Sequence, residues 1–201
     1  MSNTSSKTRY MVELAMMIAV ILLMAFTPLG YIRTPFLTVT LITIPVAVGA
    51  MFLGPKGGMV CGLAFGLTSF YTALTAPSLM MAAFMTVNPI YVAILCIIPR
   101  ALEGLFCGLI FKALRKASKN PVTYYIAGIS CPAINTILFM GTLVLLFYNC
   151  EYVVNMREML GVSNPLAFVV AVVGVQALFE VAACGIVSGA LGQGLNRVLK
   201  R

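Results

Sequence analysis

From Phe36 to Ala76 the chain reads FLTVTLITIPVAVGAMFLGPKGGMVCGLAFGLTSFYTALTA, a stretch whose one charged residue is Lys56. Two apolar runs, 36–53 and 59–76, flank Gly54-Pro-Lys-Gly-Gly58. Each run approaches the roughly 20 residues that a helix needs to cross a bilayer, and Pro and Gly in series punctuate helices. The pattern predicts two membrane-spanning helices joined by a tight basic turn.

The same reading extends in both directions. Upstream, polar Met1 to Arg9 leads into an apolar run over 10–26, which Thr27-Pro-Leu-Gly-Tyr-Ile-Arg-Thr-Pro35 ends. No small-x-small cleavage site follows, so this run is expected to be a retained span rather than a signal peptide. Downstream, spans are predicted over 89–114, 122–147 and 165–195, with Asn149 to Asn164 linking the last two. Pro77 to Asn88 is expected to form a non-helical cap on the bundle. Irregular backbone at that depth must be satisfied by protein or by a water-lined cavity, which makes the cap a candidate wall of a binding site. The expected fold is an all-α integral membrane protein, a single domain over 1–201 with six transmembrane helices. A composition of 61% hydrophobic and 9% charged residues excludes a water-soluble domain.

The net charge of +8 raises the question of nucleic acid, and its placement answers it. With the expected spans, ten basic residues fall on the side of the termini: Lys7, Arg9, Lys56, Lys112, Arg115, Lys116, Lys119, Arg197, Lys200 and Arg201. Two, Arg33 and Arg157, fall opposite. This asymmetry predicts cytoplasmic termini in a multi-pass protein of the cell membrane and accounts for the charge without nucleic acid.

Several chemistries are excluded. The six cysteines are scattered, with no CxxC and no His to complete a zinc set, so they are expected to be reduced packing residues and no metal site is expected. Gly54-Pro-Lys-Gly-Gly58 lacks the length and the Ser or Thr of a phosphate-binding loop, so the chain does not hydrolyse ATP. Without His or Asp, a Ser-His protease, an aspartyl dyad and an HExxH zinc enzyme fall away. No catalytic residue is assigned.

Ionisable residues inside hydrocarbon are functional candidates by default, and here they are Arg100, Glu103 and Glu180. At about 1.5 Å per helical residue, Arg100 lies about 18 Å below the outer end of its span. Asn135 falls at a similar depth and Glu180 about 22 Å below Pro165. Three helices thus bring a guanidinium, an amide and a carboxylate to nearly one level, where a small polar solute can be held, the arginine fork suiting a carboxylate. The other reading is that Arg100 pairs with Glu103 or Glu180 and locks the helices together. Thr38, Thr40 and Thr43 on one span, and Thr68, Ser69, Tyr71 and Thr72 on the next, place hydroxyls on the outer half. They either line an outward pocket or bond their own helix carbonyls. Gly58, Gly62 and Gly66, then Gly104 and Gly108, then Gly185 and Gly189 recur at four-residue spacing and are expected to let helices approach closely. Ala15 and Ala19 carry the same spacing on the first span, where a smooth stripe either packs inward or receives a partner.

Taken together, Ala15-x-x-x-Ala19, the proline-bounded loop 27–35, Ile44-Pro45, Gly54-Pro-Lys-Gly57, Phe65-Gly-Leu-Thr-Ser69, Pro99-Arg100 with Glu103-Gly104, and Asn135-Thr136 resemble the substrate-binding (S) components of energy-coupling factor transporters. The order of motifs is most similar to the pantothenate-type members, with folate and riboflavin types as rivals. The resemblance implies a membrane subunit that captures a vitamin from outside and delivers it inward by toppling in the bilayer. Its implied partners are a transmembrane coupling subunit and two cytoplasmic ATPases, which use ATP, leaving no cofactor in this chain. It also implies that Ala15 and Ala19 meet the coupling subunit, that 27–35 with Arg33 forms an outer gate, and that the pocket draws on Asn88, Tyr91, Arg100, Asn135, Gln176 and Glu180. The absence of Trp for stacking on a large ring favours a non-aromatic acid such as pantothenate. The competing readings are a small intramembrane enzyme using Glu180 or Glu103 as acid or base, and a stand-alone carrier.

Overall fold

The structure, a computed structural model, describes residues 2–33, 38–118, 120–162 and 164–199, with the side chains of 6–30, 40–118, 120–162 and 164–198. In chain order the elements are α1 (Ser2–Ala25), β1 (Tyr31–Arg33), β2 (Thr38–Thr40), α2 (Thr43–Thr75), α3 (Leu79–Val87), α4 (Pro89–Ala117), α5 (Val122–Phe147), α6 (Glu151–Leu160) and α7 (Pro165–Leu199). Among the described residues five helices, α1, α2, α4, α5 and α7, are long and apolar enough to cross a membrane. The chain is a bundle of such helices.

The expected spans 36–53 and 59–76 share one of these five, α2, which is broken inside. Gly54 has φ 74° and ψ −173°, a conformation essentially confined to glycine, and Pro55 follows it. The chain reverses there. A Cβ on Gly49 would stand 2.8 Å from Cys61 Sγ, and one on Gly58 would stand 2.7 Å from Ala50 Cβ, contacts that a straight helix does not permit. Residues 43–53 and 55–75 are therefore antiparallel arms.

Two further expectations are corrected. The segment 38–40, read as the start of a helix, is a strand paired antiparallel with 31–33, Tyr31 opposite Thr40 and Arg33 opposite Thr38; Thr at every second position is a strand period, not a helical one. The cap 77–88 is not irregular but carries α3, opened by Ser78, whose hydroxyl accepts from Met81 N at 3.3 Å. The link 149–164 carries α6, closed by Gly161 at φ 64°. The fold is thus a helical bundle, as expected, with a small two-stranded hairpin. The first and last helices also run longer than the spans 10–26 and 165–195, because their charged ends continue the helix beyond the apolar run.

Glycine faces set the helix approach, as expected. The second arm of α2 presents Gly58 to the Gly104 carbonyl, Gly62 to the Arg100 carbonyl and Gly66 to Cys96 and Ile97 of α4. Gly185 and Gly189 of α7 meet Ile129 and Tyr125 of α5. All six cysteines are free thiols, five of them buried. Two apolar clusters result, one around Ile21, Ile42, Phe65, Cys107 and Cys131, the other around Phe84, Leu95, Met140, Phe147 and Phe168. Arg100 on α4 and Asn135 on α5 lie along their helices between the members of the two clusters.

Candidate binding site

Pro89 at the first turn and Asn88 as N-cap start α4, and Asn88 Oδ1 accepts from Ile90 N at 2.9 Å. Eleven residues later the helix delivers Arg100, only 8% exposed. Its Nη1 donates to the Leu95 carbonyl at 2.8 Å and lies 3.4 Å from the Cys96 carbonyl. The guanidinium also rests between two rings, 4.3 Å from the centroid of Phe139 and 5.5 Å from that of Phe65. Among the described residues no carboxylate stands within salt-bridge distance of it, and its Nε has no partner. The reading in which Arg100 is locked to Glu103 or Glu180 is therefore not what the geometry shows.

Glu180 is engaged elsewhere. Its Oε1 accepts from the backbone N–H of Thr40 at 2.8 Å and from Gln176 Nε2 at 3.2 Å, one turn back along α7. This ties β2 to α7 and satisfies a strand amide in a chain where unpaired amides are costly. Thr43 Oγ1 and Cys184 Sγ add a second tie, 2.9 Å apart. Glu103 is 0% exposed; its Oε1 lies 3.1 Å from Cys131 Sγ and its Oε2 has no partner. It lines neither of the spaces described next.

A cavity of about 200 Å³ opens where these elements meet, lined by Arg100, Asn135, Gln176, Glu180, Thr40 and Met80, with Thr136, Phe139, Met140, Val172, Val173 and Ala177 completing the wall. A larger space of about 520 Å³ shares Arg100, Thr40, Gln176 and Met80 with it and continues along Ser69, Thr72, Pro77, Ser78 and Met81. Arg100 stands at the junction. Asn135 is 8% exposed, lines the same cavity as Arg100, and its Oδ1, like Arg100 Nε, is buried without a protein partner. Such a site suits a solute with an acidic group and further hydroxyl or amide groups.

Of the residues singled out from sequence, Arg100, Asn135, Gln176, Glu180 and Thr40 come together. So does the cap, through Pro77, Ser78, Met80 and Met81. Asn88 and Tyr91 do not: Asn88 caps α4, and Tyr91, 39% exposed, packs edge-on against Phe147 at 6.2 Å. Thr68 and Thr72 bond carbonyls of their own helix, while Ser69 and Thr72 also line the larger space, so each reading of the hydroxyls holds in part. The side chains of Arg33 and Thr38 lie outside the described residues. Ala15 and Ala19 are exposed on α1, among exposed Met11, Val12, Met16 and Leu23. Sequence reasoning missed Phe65 and Phe139. Phe139 was within reach, since it lies four residues from Asn135 on the same helix face.

Two comparisons bear on this arrangement. The family model described as ECF transporter, substrate-specific component, matches residues 9–191. The chain is also 30% identical to the pantothenate transporter PanT of Leuconostoc mesenteroides subsp. mesenteroides, over 100% of this chain and 98% of that protein.

Proposed function

This chain belongs to the family of ECF transporter substrate-specific components, and from that premise we propose that its solute is pantothenate, held in the cavity around Arg100. The observation that carries the reading is a buried guanidinium with no carboxylate partner at the wall of a cavity. The solute's carboxylate is taken by the guanidinium of Arg100, and its hydroxyl and amide groups fall to Asn135, Gln176 and Thr40. Likeness to a pantothenate transporter supports the choice of acid, as does the lack of any Trp for stacking on a large ring. Arg33 and Thr38, on the hairpin that Glu180 anchors, belong to the outer gate above this space.

In this reading the chain crosses the cell membrane six times with both termini cytoplasmic, the short first arm of α2 and the extended residues before it making the second crossing together. The first arm, 43–53, reaches about 16 Å and the three-residue strand before it about 10 Å, together approaching the roughly 30 Å hydrocarbon thickness. Ala15 and Ala19 meet a transmembrane coupling subunit, and two cytoplasmic ATPases supply the energy. In this reading Glu180 serves to hold the hairpin at the cavity wall, and Glu103 lines neither space. The test is mass spectrometry of the small molecule that leaves the membrane with the purified protein, followed by competition among pantothenate, folate and riboflavin. Pantothenate in the preparation, displaced by neither rival, is the expected result; retention of folate or riboflavin instead would overturn the assignment.

A further inference from the structure

We infer that Pro99 is a positioning residue that sets the aim of Arg100. In an α-helix the carbonyl of residue i−4 accepts from the N–H of residue i, so the Leu95 carbonyl is the acceptor that residue 99 would use. Proline has no N–H and its ring crowds that carbonyl. The carbonyl so released is the one that Arg100 Nη1 binds at 2.8 Å, its shortest hydrogen bond. Leu95 is 0% exposed and Pro99 is buried, so no bulk water competes for the vacancy. A buried carbonyl without a partner is unfavourable, and the arginine next in sequence satisfies it. The same bond draws the Nη1 corner back along the helix and so fixes how the guanidinium sits at the wall of the cavity that Arg100 lines. Proline at 99 thereby converts a helix hydrogen bond into an anchor for the anion-binding group.

The inference rests on the proposed role of Arg100 toward the solute's carboxylate, and the experiment separates the two. Pro99→Ala and Pro99→Val each return an N–H to the Leu95 carbonyl, Val also preserving most of the buried volume. Binding of pantothenate is compared with binding of panthenol, in which a hydroxymethyl group replaces the carboxylate, for the wild type, both Pro99 variants and Arg100→Ala. Both Pro99 variants are expected to fold with an unchanged or raised melting temperature, because a helix hydrogen bond is restored. They are expected to lose roughly tenfold in the preference for acid over alcohol, the scale of one charge-assisted hydrogen bond, while panthenol affinity stays within about twofold. Retention of the full preference in both Pro99 variants, with its loss in Arg100→Ala, overturns the role of Pro99 and leaves the site reading intact. Retention of the preference in Arg100→Ala overturns the site reading itself, and the inference with it. Unfolding of both Pro99 variants also contradicts the inference, since it would make the proline a requirement of the fold rather than of the arginine's aim.

Discussion

An arginine at the centre of a bilayer costs about 2.5–3.5 kcal/mol on insertion scales, and Arg100 offsets this with backbone carbonyls and two ring faces rather than with a carboxylate. Its charge is therefore solvated but not neutralised, which is the state that attracts an anion. A lysine cannot reproduce the fork. Arg100→Lys is expected to bind pantothenate roughly tenfold more weakly than the wild type by equilibrium dialysis; equal affinity would mean that only the charge matters. Glu180 is a different case, because its carboxylate holds Thr40 and so the hairpin. Glu180→Gln keeps an oxygen that accepts from the Thr40 amide, whereas Glu180→Ala does not. The alanine variant is expected to release bound solute roughly fivefold faster than the glutamine variant in stopped-flow measurements, from the loss of one neutral hydrogen bond of about 1 kcal/mol. Equal release rates would show that the hairpin does not need this tie.

At the scale of elements, the contact between the second arm of α2 and α4 places Arg100, because Gly62 abuts the Arg100 carbonyl directly and lies with 3.2 Å between its virtual Cβ and Ala101 Cα. Gly62→Ala forces the two helices apart and is expected to lower stability by about 1–3 kcal/mol, with a matching fall in pantothenate affinity. Gly141 on α5 has nothing within 4 Å of its virtual Cβ. Gly141→Ala is expected to be neutral or stabilising by up to about 1 kcal/mol, and thermal unfolding in detergent compares the two. The long apolar runs were legible in sequence because nothing in water explains them. The hairpin and α3 were not, since strands of three residues and a helix of nine leave too short a pattern beside spans of 24 or more. The polar half of the site was legible for a related reason. In a chain this apolar, Arg100, Asn135, Gln176 and Glu180 stand out, whereas Phe65 and Phe139 carry no contrast against their neighbours. Asn88 and Tyr91 misled because position near a helix start does not say which way the side chain is used, and Asn88 serves its own helix.

For the whole molecule, the surfaces proposed for binding and for partnership are separate. The cavity lies among β2, α3, α4, α5 and α7, while Ala15 and Ala19 lie on the exposed face of α1. Ala15→Trp with Ala19→Trp is expected to abolish co-purification with the coupling subunit and ATPases while changing the stability of the isolated chain by no more than about 0.5 kcal/mol. Loss of solute binding in the isolated variant would place the alanine stripe in the solute site instead. The central claim concerns the cavity, and calorimetric titration of pantothenate into the purified chain and its Arg100→Ala variant tests it most directly. Saturable binding at one site in the wild type, weakened at least tenfold by the substitution as expected for a lost charged hydrogen bond of roughly 1.5–3 kcal/mol, is what the account predicts. Equal affinity in the two proteins, or no binding in either, would contradict it.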